Sequence, residues 1–95
     1  FFIALSFVIK DNNMTEEELL QKIGQRIKDI RIKKGMSQIE LAVELDYEKS
    51  NMSRLESGRV NPTISTLNKV SQALGVSLKE LVAVCTNPLL VGQYL

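Results

Sequence analysis

The stretch from Ser37 to Gly58 leaves this chain little freedom. It opens with Ser37-x-x-Glu40, a pattern in which hydroxyl and carboxylate each satisfy a backbone donor at a helix start. Leu41, Ala42 and Leu45 mark an inward face, and Asp46-Tyr47 is predicted to be a turn. A second helix is predicted from about Glu48 to Ser57, with Met52 and Leu55 facing inward and Gly58 as its stop. Two short helices joined this tightly must cross at a steep angle. The crossing needs a small side chain at the contact, and Ala42 supplies it.

The flanking sequence supplies the body against which this pair packs. Thr15-x-x-Glu18 is another capping pattern, and Leu20, Ile23, Ile27 and Ile30 follow at helical steps until Gly35. Thr63 is predicted to cap a fourth helix, carrying Ile64, Leu67, Val70 and Leu74 inward, and Gly75 to stop it. Ser77-x-x-Glu80 opens a fifth, with Leu78, Leu81, Val82 and Cys85 available for burial, broken at Thr86-Asn87-Pro88. The predicted fold is therefore all-α, a compact five-helix bundle with short apolar terminal extensions.

Domain limits follow from the same signals. Residues 14–86 form the predicted helical domain, and residues 87–95 an apolar tail. For residues 1–13 two readings stand. Met14 looks like a natural start, which makes the preceding stretch upstream-encoded or appended; alternatively, it is a short strand that pairs with something. The run Phe1–Ile9 is too short to span a bilayer and lacks the flanks of a secretory signal.

Composition narrows the chemistry. The 95 residues include one cysteine and no histidine, so neither a disulfide within the chain nor a zinc cluster is expected, and a reducing cytoplasm fits. With no phosphate-cradling loop and no nucleophile beside a base, an enzyme is not expected, and no cofactor is called for. The net charge of +1 is uninformative in total. Its distribution matters more: Glu16–Glu18 are followed by Arg26, Lys28, Arg31, Lys33 and Lys34, with Arg54 and Arg59 later. Bases late in the first helix complement the helix dipole as readily as they would a phosphate.

The outward face of the third helix consists of Lys49, Ser50, Ser53 and Arg54, with Asn51 counted among them. These are short or basic hydrogen-bonding residues, and a DNA major groove accepts a helix with such a face. Beyond this stretch the chain carries Ile23-Gly24-Gln25-Arg26-Ile27-Lys28, Arg31-x-x-x-Gly35-Met36-Ser37-Gln38-x-x-Leu41-Ala42 and Ser53-Arg54-Leu55-Glu56-Ser57-Gly58. Pro62-Thr63-x-x-Thr66-Leu67 and Ala73-Leu74-Gly75-Val76-Ser77-Leu78-x-x-Leu81 follow. In this order and spacing, over roughly residues 23–83, the chain resembles the phage-repressor/Cro-type, or XRE-type, helix-turn-helix DNA-binding family.

The resemblance implies a lambda-repressor-like fold and a sequence-specific transcriptional regulator, repressor-like, bound as a homodimer to a palindromic operator in double-stranded DNA. It implies that Lys49, Ser50 and Arg54 touch base edges, with Asn51 beside them. It implies phosphate contacts at Ser37, Gln38, Arg59 and Asn61, and a structural ion pair between Arg31 and Glu56. The dimer contact is expected at the fifth helix and the tail residues Leu89, Leu90, Val91 and Tyr94, which would otherwise leave an apolar patch exposed. Three departures from the family pattern stand out: Asp46 at a turn position usually held by Gly, Met52 in place of Ile or Val, and the acid Glu48 at the start of the reading helix. Glu48 is open to three roles: repelling phosphate, capping the helix, or accepting from cytosine. Two competing readings remain, a protein-interaction module such as an antitoxin component and the controller protein of a restriction–modification system.

Overall fold

The computed structural model describes residues 14–83, which form five helices and no strand. These are α1 (Glu16–Lys33), α2 (Gln38–Glu44), α3 (Lys49–Ser57), α4 (Ile64–Leu74) and α5 (Leu78–Leu81). Residues 1–13, Cys85 and the tail Leu89–Leu95 lie outside the described residues. No helix among the described residues is long and apolar enough to cross a membrane.

Helix starts follow the local chemistry. Thr15, Ser37, Thr63 and Ser77 each sit in extended backbone and accept a hydrogen bond from the amide three residues on. Only Ser37 closes the reciprocal box, with the Glu40 carboxylate accepting from the Ser37 amide at 3.1 Å. At Thr15 and Ser77 the hydroxyl half alone forms. The Glu80 carboxylate lies instead 4.0 Å from the Arg26 guanidinium.

Helix ends also have local causes. Gly58 and Gly75 cap α3 and α4 in the left-handed region, at φ 77° and 71°. Asp46 adopts φ 54°, the one non-glycine residue with positive φ among those described, so it makes the turn that glycine usually makes. The Tyr47 amide then donates to the Ala42 carbonyl at 2.8 Å and locks α2 against the turn.

The core gathers Ile23, Ile27 and Ile30 of α1 with Leu41, Met52, Leu55, Leu67, Val70, Leu74 and Leu81. Ala42 is buried at the α2–α3 crossing. Two inward assignments fail. Ile64 is 69% exposed and Leu20 only half-buried; with Leu19, Pro62 and Val82 they line an apolar groove of about 480 Å³ between α1 and the start of α4. Ile64 is the first residue of α4, where the helix has not yet reached the core. The fifth helix is also shorter than expected, because α5 is a single turn capped by Val82.

Gly24 decides how closely the bundle closes. A Cβ at this position would stand 2.5 Å from the carbonyl oxygens of both Leu55 and Glu56. The backbones of α1 and α3 are therefore in direct contact, and α3 rests on α1 with one side while the opposite side stays bare.

Candidate nucleic-acid interface

Helix α3 turns Met52, Leu55 and Glu56 inward. At 100° per residue the opposite side is centred on Ser50, Arg54 and Ser57, with Lys49 and Ser53 on one flank and Asn51 on the other. All six are exposed. No large apolar side chain interrupts this face, so it offers hydroxyls, an amide, an ammonium and a guanidinium in a row.

What holds α3 in place is a buried polar network. Arg31 of α1 donates to both Glu56 carboxylate oxygens, from Nε at 2.6 Å and from an Nη at 3.1 Å. Its other Nη donates to the Met36 carbonyl at 2.9 Å. The two side chains are 9% and 4% exposed, so this is a bidentate pair largely withdrawn from water. Gln38, the first residue of α2, donates its amide to the same carboxylate at 3.0 Å. Glu56 thus ties together α1, α2 and α3. No buried side-chain polar atom among the described residues lacks a partner.

Two clefts flank α3. One, of about 320 Å³, is lined by Gln25 and Lys28 of α1, Gln38 of α2, and Ser53, Glu56 and Ser57 of α3, the Glu56 carboxylate being already paired with Arg31. The other, of about 290 Å³, lies between Tyr47, Asn51, Arg54, Arg59 and Val60. A cation borders each: Lys28 on one side, Arg54 and Arg59 on the other. Protein–DNA contacts go largely to backbone phosphates, and cations beside both flanks of α3 carry the charge such contacts need.

The remaining predicted contacts fall at the edges. Ser37 is exposed, and its hydroxyl accepts from Glu40 while keeping its own proton to donate. Arg59 is exposed and its amide donates to the Arg54 carbonyl at 2.9 Å. Asn61 is already engaged: its amide nitrogen donates to the Glu16 carboxylate at 2.8 Å, which draws it toward the acidic start of α1. Glu48 is the N-cap of α3 but makes no side-chain cap, so of its three open roles capping is not the one observed. Among the described residues no group of acids and cysteine is placed to hold a metal ion.

Sequence reasoning passed over Tyr47, Val60 and Ser57 as contributors to this surface. Ser57 was legible from the 100° step alone. Tyr47 and Val60 lie in a turn and a loop, where no periodicity shows direction; Gly58 as a left-handed cap was the one signal that the chain doubles back beside α3.

Comparison with known proteins shows the family and the fold. The helix-turn-helix family model HTH_3 matches residues 27–81, more than half of the chain. The immunity repressor protein of Bacillus phage phi105 is 38% identical over 60 residues, covering 63% of this chain and 42% of the repressor, so the chain spans less than half of that relative. The control protein C.BamHI of Bacillus amyloliquefaciens is 41% identical over 59 residues, 61% of this chain and 73% of that protein. Among solved structures, the restriction-modification controller protein C.AhdI of Aeromonas hydrophila superposes with a TM-score of 0.63 at 34% identity, covering 65% of this chain and 94% of that one. The arrangement is the lambda-repressor-like one that these regulators share. With the family model running from within α1 to the end of α5 and a solved structure superposing at a TM-score of 0.63, the chain belongs to the helix-turn-helix family.

Proposed function

We propose that this chain is a sequence-specific DNA-binding transcriptional regulator, repressor-like, that docks Lys49–Glu56 in the major groove of a palindromic operator. The observation that carries the reading is the bare polar face of α3, held in place by the Arg31–Glu56–Gln38 network and bordered on both flanks by cations. Arg54 and Lys49 address base edges, with Ser50 and Asn51 beside them. Gln38, Ser37 and Arg59 address phosphates. Asn61 does so only by leaving Glu16. Such a protein acts in the cytoplasm and turns over no substrate.

One recognition helix covers a few base pairs and gives too little discrimination in a genome, so two copies are needed, with half-sites about one helical turn apart. In this reading the dimer contact would form at α5 and the tail residues Leu89, Leu90, Val91 and Tyr94. Val82, four residues before the Thr86-Asn87-Pro88 break, borders the apolar groove, and the sequence beyond that break is rich in apolar residues. Sedimentation of the full chain as a monomer at micromolar concentration would remove this part of the proposal.

Selection of bound sequences from a random DNA pool, repeated with Arg54→Ala, tests the whole. A guanidinium on a guanine contributes about 1–3 kcal/mol of discrimination, so the variant should relax one symmetric position in each half-site. Uniform weakening would make Arg54 a phosphate contact. Similarity to the restriction-modification controller protein C.AhdI favours that role as the second reading; a restriction enzyme encoded beside this chain would decide for it.

A further inference from the structure

The reading above uses the polar groups of α3 and leaves one part of its surface unexplained. Beside Asn51 and Arg54, the loop after α3 lies against the helix instead of departing from it, because Gly58 turns left-handed and the Arg59 amide bonds back to the Arg54 carbonyl. This presents Val60, an apolar side chain 40% exposed, in a cleft with Tyr47, Asn51, Arg54 and Arg59. No acid lines the cleft, and among the described residues neither guanidinium is in an ion pair.

The base edges in a major groove carry hydrogen-bond donors and acceptors and one apolar substituent, the thymine C5 methyl. An exposed valine framed by two cations on a reading face has that methyl as its complementary group. The cations supply the neighbouring contacts, to phosphate and to a base edge. We propose that this cleft reads thymine, and that Val60 is a specificity-determining residue for one position of each half-site. The inference rests on α3 entering the major groove, and it adds to that reading a loop residue and a named base.

Deoxyuridine differs from thymidine only by the methyl, which allows a direct test. Each thymine of the selected site is replaced in turn by deoxyuridine, and binding of the full chain is measured for wild type and for Val60→Ser. Val60 is exposed, so the variant should fold as the wild type does, which a thermal melt checks. Wild type should lose about fourfold per half-site at one thymine, the factor that burying a methylene-sized group gives, and about sixteenfold when both half-sites are changed. Val60→Ser should bind the two DNAs equally. Three results overturn the inference while leaving DNA reading intact: a selected half-site without thymine, wild-type binding indifferent to every replacement, or a methyl penalty that persists in Val60→Ser. Failure of wild type to select any sequence would instead sink the DNA-binding reading, and this inference with it.

Discussion

Gly24→Ala sets two effects of opposite sign against each other. In an exposed helix interior, alanine is favoured over glycine by about 1 kcal/mol. Here the added Cβ would meet two α3 carbonyl oxygens at 2.5 Å and the Glu56 carbonyl carbon at 2.8 Å. These are backbone atoms, so no side chain can swing aside; α1 and α3 must separate by several tenths of an ångström. That separation loosens packing around Ile23, Ile27 and Leu55, which are all buried. Overpacking of a rigid contact costs up to about 3 kcal/mol, which outweighs the helix-propensity gain and leaves a net loss of about 2 kcal/mol. For a domain of this size the thermal midpoint should fall by roughly 10 °C. Urea unfolding followed by circular dichroism at 222 nm is the assay, with Gln25→Ala, on the exposed side of the same helix, as control. A Gly24→Ala protein as stable as the wild type, or more stable, would refute the claim that α1 and α3 meet backbone to backbone.

Other outcomes follow from the same geometry. Glu56→Ala strands the buried Arg31 guanidinium and should cost about 3–5 kcal/mol in urea unfolding; an Arg31→Met, Glu56→Leu double variant should recover much of that loss, and no recovery would argue against charge burial as the cause. Asp46→Gly relieves a left-handed non-glycine residue and should raise stability by up to about 1 kcal/mol, whereas Asp46→Val should lower it sharply in the same measurement. Arg59→Ala should weaken binding to all DNA sequences alike and reduce the slope of log K against log salt by about 1, as loss of one phosphate contact requires. An unchanged slope would remove Arg59 from the backbone contacts.

The helix boundaries were legible because their causes are local. Ser37, Thr63 and Ser77 cap from within one turn, and Gly58 and Gly75 stop helices by their own backbone freedom. Asp46 was readable as part of a turn from its place between two helical patterns, and as a strained one only from the resemblance, in which glycine holds that position. The fifth helix was overdrawn because Leu78, Leu81 and Val82 keep a helical step over too few residues to show where the turn ends. The bare face of α3 was legible for a similar reason: once Met52 and Leu55 point inward, helical geometry assigns the rest.

The sequence by itself therefore determined where the five helices begin, the order in which they follow one another and the side of α3 left bare, since caps and periodicity act within three or four residues. Tertiary structure decided which segments distant in sequence meet. It placed Gly24 against the α3 carbonyls, sent the Glu80 carboxylate to Arg26 instead of closing a box, left Ile64 outside the core, turned Asn61 toward Glu16 and brought Val60 beside Arg54. Each of these depends on the distance between elements far apart in the chain, which is set by the packing of the whole bundle and by no local preference.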